Sequence, residues 1–416
     1  MKALYVHHEA KAVGELVEAE DGLRFRYSAD WVADGEGFAL CMTLPRQPGW
    51  FLPAVVRPFF DNLLPDGALR IRLAQLHGVS ESHTFALLAI AGEECAGALR
   101  ITAEAGARPA GGYRALTDAE LIELAQPDAD VLALAEGLAG ELRLSLAGAQ
   151  SKLALFVDAE GALHLPRGSA ASTHIAKFDS TRFKHVTANE VWTTTLGQRV
   201  GLQTQNLTLR QAGRHHLSLA TRYDRQPGEE GVVRRIHQQD ICQALGRLPS
   251  QKYEGEGGPS LAECLAVLRA HSLEPLTDTA EFLRRTLFNL AVGNADAHGK
   301  NTALYRPTTR GWRLAPAYDL VCTAAFRHLS RGLAMHFASG LDLEQVNHHH
   351  LSHWARSVGL GPGYVRREAR QICTAILDQL RAHSAAFRER HGPSPAVERC
   401  ERAARKQARG LMARLA

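Results

Sequence analysis

The sequence has 416 residues, of which 45% are hydrophobic and 22% charged, and its formal net charge is +4. This composition is typical of an ordinary soluble globular protein with two or three domains. The mildly basic balance permits contact with phosphates without demonstrating it. The seven cysteines are scattered and form no C-x-x-C pair, which argues against a disulfide framework or a zinc ribbon and for a reducing compartment.

The sequence also predicts a protein with no membrane contact. No run of about 18 apolar residues is present, and the start, MKALYVHHEAKAVGEL, has two lysines and no apolar core of a signal peptide. We therefore expect a cytoplasmic protein.

In chain order, the predicted elements form four segments. Alternating strands and a helical pair broken at LPDG predict a small mixed α/β domain over residues 1–103. Residues 104–143 begin with an Ala-, Gly- and Pro-rich stretch, which predicts a linker, and continue with helices. Residues 144–235 alternate as strands around one helix, whereas residues 236–416 have mainly helical spacing. The pattern predicts an α+β fold with a strand-rich lobe followed by a helical lobe.

The stretch GNADAHGKN, residues 293–301, follows an apolar helical run and precedes a strand-like segment. An Asp-x4-Asn pair on a rigid loop suits phosphoryl transfer, because the carboxylate of Asp296 orients and deprotonates a hydroxyl and the amide oxygen of Asn301 ligates a divalent metal. Lys300 lies between them and could neutralise the transferring oxygens. Asn301 is expected to open the next strand. The alternative for this stretch alone is a helix cap followed by a turn.

Three charged residues elsewhere favour the phosphoryl-transfer interpretation. Asp319 lies in the apolar stretch LAPAYDLV, where a metal would compensate its charge. Lys177 alternates with apolar residues in THIAKFD and needs an anionic partner, either nucleotide phosphate or a carboxylate such as Glu190 on the next helix. The chain order Lys, Glu, Asp-x4-Asn, Asp is that of the protein-kinase signature set, although the lysine side chain could also reach solvent along an apolar surface.

A glycine-rich kinase loop is missing before Lys177. SLAGAQSK, residues 145–152, stands in its place. Gly148 between small alanines allows close approach of phosphate to backbone N–H groups, and Ser145 and Ser151 add hydroxyls. A plain β-turn is the alternative.

The segments SLAGAQSKLALF, THIAKF, NEVW, RYDR, HQQDICQALGRLPSQKYEGEGGP, GNADAHGKN and APAYDLV resemble successive signatures of the HipA family, which are serine/threonine kinases of type II toxin–antitoxin modules. FFDNLLPDG and LLAIAGEECAGAL resemble the N-terminal domain of the same family. The resemblance covers most of residues 1–380. It implies a two-lobed, protein-kinase-like body preceded by that small domain.

The resemblance implies ATP and Mg²⁺ as ligands, with Asp296 as the catalytic base, Asn301 and Asp319 on the metal, and Glu190 in an ion pair with Lys177. The implied ATP contacts are Ala147, Gly148, Ala149, Gln150, Ser151 and Lys152 of a phosphate loop, Lys177, the hinge residues Thr221, Arg222 and Tyr223, then His298, Gly299, Lys300, Asn301, Tyr318 and Asp319. The hinge would hold adenine through backbone groups.

The resemblance further implies regulation and partners. Ser145 matches the autophosphorylated serine of the family, and its phosphate would pull the phosphate loop away and stop activity. Family substrates are translation components such as aminoacyl-tRNA synthetases. A small helix-turn-helix antitoxin usually neutralises the kinase and anchors it to operator DNA, so a dimer within that complex is a further expectation.

Two positions depart from the family pattern. Ser151 and Thr221 each stand where the family has Glu, which makes Ser151 a second candidate phosphosite and changes the side chain at the edge of the hinge.

Two rival functions remain. A small-molecule phosphotransferase of the aminoglycoside type also uses Asp-x4-Asn, and a non-catalytic co-repressor could keep the fold while binding an antitoxin on DNA. The KYE…GGP run argues against the first, and intact Lys177, Asp296, Asn301 and Asp319 argue against the second.

Overall fold

The computed structural model describes residues 2–106, 111–140, 150–228, 232–308 and 310–416. The chain divides into two compact units. Unit 1 comprises Met1–Thr181, Gln211–Pro249 and Ala303–Arg310, and unit 2 comprises Arg182–Arg210, Ser250–Thr302 and Gly311–Ala416. Each unit therefore contains segments that are far apart in the sequence.

The first hundred residues build an antiparallel sheet covered by helices in unit 1. The elements are β1 (Ala3–His8), β2 (Lys11–Ala19), β3 (Gly22–Tyr27), α1 (Ala29–Ala33), β4 (Trp50–Phe51), α2 (Pro53–Asp61), α3 (Gly67–Leu76), α4 (Thr84–Ala91) and β5 (Leu99–Thr102). The strand order is β4-β3-β2-β1-β5. Alternate residues of β1 and β3, such as Val6 and Phe25, are completely buried, because one face of the sheet packs on an apolar core.

Residues 111–228 contribute a second sheet and one long helix. The elements are β6 (Gly112–Ala115), α5 (Asp118–Leu124), α6 (Val131–Ala139), β7 (Lys152–Val157), β8 (Leu163–Arg167), β9 (His174–Phe178), α7 (Val186–Arg199), β10 (Leu207–Ala212), β11 (His215–Thr221) and β12 (Arg225–Pro227). Five strands that lie wholly in unit 1 follow the order β11-β9-β7-β8-β6. Helix α7 belongs to unit 2.

Residues 232–416 are mainly helical. The elements are β13 (Val233–Arg235), β14 (Gln238–Asp240), α8 (Ile241–Ala244), α9 (Leu261–His271), α10 (Pro275–Val292), β15 (Ala303–Thr308), β16 (Gly311–Leu314), α11 (His348–Ser357), α12 (Pro362–His391) and α13 (Pro395–Arg414). In unit 2, α10 packs on α12 and α13 and carries a wide buried face that includes Phe282, Leu283, Leu287 and Phe288. None of the helices described here is long and apolar enough to cross a membrane.

Helix α10 ends where the sequence predicts. Gly293 caps it in the left-handed conformation, with φ of 85°, and its N–H donates to the carbonyl of Asn289 at 3.1 Å. A Cβ atom at this position would lie 2.6 Å from the Cβ of Ala324. Glycine is required both for the turn and for the close approach of the segment after Asp319.

The predicted mixture of strand-rich sheets and many helices is confirmed. Two local predictions differ from the structure. The stretch predicted as a linker contains β6, whose residues pair with β8 at the edge of the sheet; its Gly- and Ala-rich composition gives no strand signal. Asn301 does not open a strand but lies in the 3₁₀ turn Gly299–Asn301, and β15 begins at Ala303.

His237 makes the stability of unit 1 dependent on pH. The ring stacks on Phe38 at 4.5 Å between centroids, and Nε2 donates to the carbonyl of Leu40 at 2.7 Å. Burial lowers the pKa of His237 to about 3, so the folded protein keeps this ring neutral, whereas the unfolded chain protonates it below about pH 6.5. Stability is therefore lost as the pH falls below that value.

Because only the unfolded chain protonates His237, we expect the free energy of unfolding to fall by about 2 kcal/mol when the pH is lowered from 7 to 5. Denaturant unfolding at the two pH values should show this loss in the parent and a smaller loss in His237→Gln, which keeps a donor for Leu40 but does not titrate. Equal pH dependence in parent and variant would contradict the assignment.

Candidate active site

The acidic loop, residues 293–301, is held by neutral hydrogen bonds. The side chain of Asn294 donates to Oδ1 of Asn289 at 3.0 Å, and its own Oδ1 accepts the N–H of Asp296 at 3.1 Å. The N–H of His298 donates to the carbonyl of Asp296 at 2.9 Å. These bonds turn the chain directly after α10 and leave the carboxylate of Asp296 exposed to solvent.

Asn301 closes the acidic loop on itself. Its Nδ2 donates to the carbonyl oxygen of Asp296 at 3.0 Å. The bond fixes the amide plane, so that Oδ1 is the atom left to ligate a cation. The Asp-x4-Asn spacing thus brings the two residues together through a side chain-to-backbone bond.

The segment that carries Asp319 is bound to the start of the acidic loop. Oγ1 of Thr323 accepts the N–H of Ala295 at 2.9 Å and donates to the carbonyl of Gly293 at 3.2 Å. The N–H of Ala324 donates to the same Gly293 carbonyl at 2.8 Å. Asp319 itself has a left-handed backbone with φ of 58°, a conformation that is uncommon outside glycine and concentrates at functional sites.

Helix α7 holds the Asp319 segment from its other side. Asn189 accepts the N–H of Cys322 on Oδ1 at 2.8 Å and donates from Nδ2 to the Cys322 carbonyl at 3.0 Å. This buried side chain satisfies both backbone groups of one residue. Asn189 belongs to the NEVW motif but was not among the predicted site residues; the unusual asparagine on a buried helix face was the available signal.

Asp296, Asn301 and Asp319 lie in one region of unit 2. Asn301 and Asp319 line the same cavity of about 30 Å³. Although Asp296 is accessible to solvent, the protein atoms packed around its carboxyl group raise the pKa above its ordinary value; the Tyr253 hydrogen bond opposes this, and the nearby charge of Asp319 adds to it. The protein therefore brings two carboxylates close enough to repel each other, which favours a positive ligand between them.

The donor set fits magnesium. One carboxylate and one oriented amide oxygen are hard oxygen ligands of the kind that Mg²⁺ binds, together with water and substrate phosphates. Within the described part of the chain, three or more His, Cys, Asp or Glu side chains never gather into a cluster that could hold a metal on its own.

Residues 252–254 bracket the acidic loop, and sequence reasoning gave them no role in the site. The hydroxyl of Tyr253 donates to Oδ1 of Asp296 at 2.8 Å, and its ring packs edge-on against His298 at 5.2 Å. The carbonyl of Lys252 accepts the N–H of Gly299 at 3.1 Å. The KYE run, which is one of the motifs that carry the family resemblance, thus supplies the phenol that orients the acidic side chain.

Other predicted residues of this region surround the loop. His298 and Lys300 are buried, with 7% and 5% of their surfaces exposed. The hydroxyl of Tyr318 donates to the carbonyl of Lys300 at 2.6 Å. Tyr318 therefore joins the Asp319 segment to the second half of the acidic loop.

In unit 1, two predicted lysines form part of one row across the second sheet. Lys152 on β7 is directly opposite Lys177 on β9, and Ser218 on β11 continues the row. Like charges directly opposite each other destabilise a sheet, so the pair favours an anionic group on that face. The side chain of the neighbouring Gln150 donates to the carbonyl of Phe178 at 3.0 Å, and the Phe178 N–H donates to the backbone carbonyl of Ser151 at 3.0 Å.

The predicted hinge follows β11. Thr221 ends that strand, and its hydroxyl is 3.2 Å from Nε2 of His174. The Arg222 N–H donates to the carbonyl of Thr173 at 2.9 Å, and its side chain is buried away from solvent. We therefore expect the backbone of Thr221 and Tyr223 to make any adenine contact at this hinge.

Several predictions stay predictions. Ser145, Ala147, Gly148 and Ala149 lie outside the described residues. Glu190 is completely buried on α7 in unit 2, whereas Lys177 lies on β9 in unit 1; the ion pair between them remains an expectation.

Comparison with known proteins gives a consistent result along the chain. A family model described as the HipA N-terminal domain matches residues 4–102, and one described as the HipA-like C-terminal domain matches residues 144–384. The putative kinase Y4mE of Sinorhizobium fredii is 38% identical over a region that covers 88% of each chain. The serine/threonine-protein kinase toxin HipA of Shewanella oneidensis is 31% identical, over 96% of this chain and 95% of that protein.

A solved structure shows the same similarity in three dimensions. In the complex of the Shewanella oneidensis MR-1 toxin–antitoxin system HipA, HipB and its operator DNA, the matched chain has a TM-score of 0.84 and 27% sequence identity. The match covers 99% of this chain and 98% of that chain.

Tyr253→Phe should slow phosphoryl transfer without weakening ATP binding. The change removes one hydrogen bond to the carboxylate of Asp296 and keeps the ring that packs on His298. Since a hydrogen bond to a charged group contributes roughly 1.5 kcal/mol or more, kcat should fall about tenfold. Steady-state kinetics and ATP titration separate the two effects.

Tyr364→Phe is the matched control, because Tyr364 lies on α12 outside the acidic loop. It should keep the parental kcat. Parental kcat in Tyr253→Phe as well would show that this hydrogen bond does not act in catalysis.

Proposed function

Since this chain belongs to the HipA family and is a serine/threonine-protein kinase, we propose that it uses ATP to arrest growth as the toxin of a toxin–antitoxin module. The observation that carries the catalytic part is the geometry of the acidic loop. Asp296 is exposed and oriented by Tyr253, and Asn301 lines one cavity with Asp319. This arrangement supports an Asp-x4-Asn site for phosphoryl transfer.

Asp296 is proposed as the base. Tyr253 donates to Oδ1, which leaves Oδ2 for the hydroxyl of the protein substrate. As that hydroxyl oxygen bonds to the γ-phosphorus of ATP, its proton passes to Asp296 and the bond between the γ-phosphorus and the bridging oxygen breaks. The products are a phosphorylated serine or threonine and ADP.

Asn301 and Asp319 are proposed to hold magnesium. The bound ion would neutralise charge on the phosphate oxygens during transfer. The two residues fit this role because their segments are fixed independently of any ligand, Asn301 through the Asp296 carbonyl and Asp319 through Thr323 and Asn189.

The remaining ATP contacts are proposals as well. The row formed by Lys152 and Lys177 supports phosphate binding in unit 1, and the proposed Lys177–Glu190 ion pair would orient the lysine. The division into residues 1–103, 104–143, 144–235 and 236–416 is likewise proposed as the division into N-terminal domain, linker with helices, strand-rich lobe and helical lobe.

The proposed partners follow from the related toxin. The Shewanella HipA structure contains HipB and operator DNA. By this likeness, a small helix-turn-helix antitoxin would bind the present chain and connect it to operator DNA, with a dimer formed inside that complex. The proposed protein substrate is a translation component of the aminoacyl-tRNA synthetase type.

Incubation with labelled ATP and host lysate tests the proposed function directly. We expect the parent to label one or a few proteins, and Asp296→Asn to reduce labelling by about a hundredfold or more, as loss of a general base does. ATP should still bind to the variant, as titration calorimetry would show, because the substitution keeps the size of the side chain.

The other outcomes decide between the rivals. Transfer to small molecules, with all proteins unlabelled, would favour the small-molecule phosphotransferase. No transfer by a parent that binds antitoxin and operator DNA would favour the non-catalytic co-repressor. Parental labelling by Asp296→Asn would show that the base assignment is wrong.

Self-inhibition by autophosphorylation at Ser145 is the regulatory part of the proposal. A phosphate there would add about −1.5 to −2 charges in the segment proposed to contact the phosphates of ATP. Ser145→Ala should therefore remove most self-labelling and prolong activity on the substrate. Mass spectrometry of the parent and of the matched Ser151→Ala variant identifies the site; phosphate found at Ser151 would transfer the regulatory role to that residue.

A further inference from the structure

Two sequence motifs have no part in the phosphoryl-transfer chemistry. The first is RYDR, residues 222–225, which contains two residues of the proposed hinge. The second is GEECAG, residues 92–97, in the region that matches the HipA N-terminal domain. Their charged side chains meet in the interior of unit 1, although 128 positions separate Glu94 from Arg222.

These side chains form a buried group that we name the hinge cluster. Its members are Glu94, Ser172, Arg222, Asp224, Arg225 and Arg235. Their side chains are almost completely inaccessible: Glu94 is 0% exposed, and Arg222 and Arg225 are 1% exposed. Charged side chains at this depth are costly unless they are paired in good geometry.

Glu94 is the carboxylate that joins the three guanidinium groups of the hinge cluster. Its Oε1 accepts from Nη1 of Arg222 at 2.9 Å and from Nη2 of Arg225 at 3.0 Å. Its Oε2 accepts from Nη2 of Arg235 at 2.8 Å. Ser172 completes the contact by donating to Oε1 at 2.7 Å while accepting from Arg222 at 3.1 Å.

The backbone after Glu94 also binds the hinge residue Arg222 and two residues that follow the hinge, Asp224 and Arg225. Arg222 donates to the carbonyl of Cys95 at 3.0 Å, and Arg225 donates to the carbonyl of Gly97 at 2.9 Å. The N–H of Gly97 returns a bond of 2.7 Å to Oδ2 of Asp224. A Cβ atom on Gly97 would lie 3.0 Å from the backbone nitrogen of Gln238, and φ here is 84°. Glycine allows this close approach.

The Arg222 side chain is fixed in both direction and orientation. Nε and Nη2 form a two-point contact with Asp224 at 2.9 and 2.7 Å, a geometry that guanidinium and carboxylate groups favour. Although burial opposes its ionisation, the charges of Arg222 and Arg225 hold the pKa of Asp224 at about 2. Asp224 is therefore ionised beside two guanidinium groups, and Glu94 accepts hydrogen bonds from all three arginines of the cluster.

The geometry points to Glu94 as a positioning residue for ATP: the N-terminal family domain sets the backbone of the nucleotide hinge through Glu94 and Arg222. This inference rests on the proposed function, because it takes Thr221–Tyr223 as the hinge. It makes the N-terminal domain a structural part of the nucleotide site: Glu94 would act on adenine by fixing Arg222, and with it the neighbouring backbone of Thr221 and Tyr223, rather than by contact.

Glu94→Gln in the full-length chain tests this inference, because glutamine keeps the shape and removes the charge. The Kd for ATP, measured by titration calorimetry, and the KM for ATP should both rise about tenfold, which corresponds to about 1.4 kcal/mol. At saturating ATP, kcat should change less than KM. Glu94→Asp should restore part of the affinity, since it returns the charge.

Asp61→Asn is the matched control. Asp61 is also a buried carboxylate in the N-terminal region, where it pairs with Arg70 at 2.8 Å and accepts from the hydroxyl of Thr84 at 2.8 Å, but it is not part of the hinge cluster. Both variants should lower the melting temperature, and only Glu94→Gln should weaken ATP binding. Equal weakening by the two variants would reduce the role of Glu94 to general stability and overturn the inference.

Ser172→Ala keeps the test decisive if Glu94→Gln does not fold. This variant removes only the hydroxyl that contacts both Glu94 and Arg222, whereas the direct bond between those two residues remains. We expect the Kd for ATP to rise about threefold. Parental ATP affinity in every folded variant of the cluster would overturn the inference and leave the proposed kinase function intact. A parent that fails to bind ATP would instead overturn the proposed function itself.

Discussion

The candidate site depends on one constraint: the protein must hold the carboxylate of Asp296, in the acidic loop, near that of Asp319, in the segment after β16. The structure meets it with neutral groups. Asn294 and Thr323 bind the loop backbone, Asn189 binds the segment after Asp319, and Tyr253 orients Asp296. Because these bonds go mainly to backbone atoms, the negative potential of the carboxylates remains available to a cationic ligand. The left-handed backbone of Asp319 is tolerated because the residues after it are bound on two sides.

The parts of this site that the sequence predicted are the local ones. A helix that ends at a glycine, followed within nine residues by Asp and Asn, is a short-range pattern, and backbone geometry alone brings Asp296 and Asn301 together. Likewise, the alternation in THIAKFD places Lys177 on a strand between buried residues. Two strand boundaries were predicted wrongly: β15 begins two residues later than expected, and β6 was not expected at all. In both cases the side-chain pattern gives no signal, because pairing with a distant strand decides where these strands begin.

The parts that were not predicted are contacts between distant positions. Tyr253 is 43 residues from Asp296, and Asn189 is 133 residues from Cys322. No periodicity or spacing rule connects such pairs, since their proximity results from how α7 and the 252–254 segment pack in unit 2. The motifs NEVW and KYE could be recognised as family signatures, but their physical role appears only when the partner atoms are known. The predicted Lys177–Glu190 pair belongs to the same long-range class, and it stays a prediction.

The acidic loop and the hinge cluster are stabilised in opposite ways, and this difference has a physical basis. Around the acidic loop, neutral bonds are sufficient, because the charges there must remain open to ligand. Around the proposed hinge, the hinge cluster holds the backbone with fully buried charges. Unpaired buried charges are so unfavourable that the cluster tolerates few alternative arrangements. A nonpolar core could also hold this segment, but apolar packing is less directional than Arg222 bound at once to Glu94, Ser172 and Asp224. For a backbone proposed to bind a planar base, that directionality offsets the cost of burying the charges.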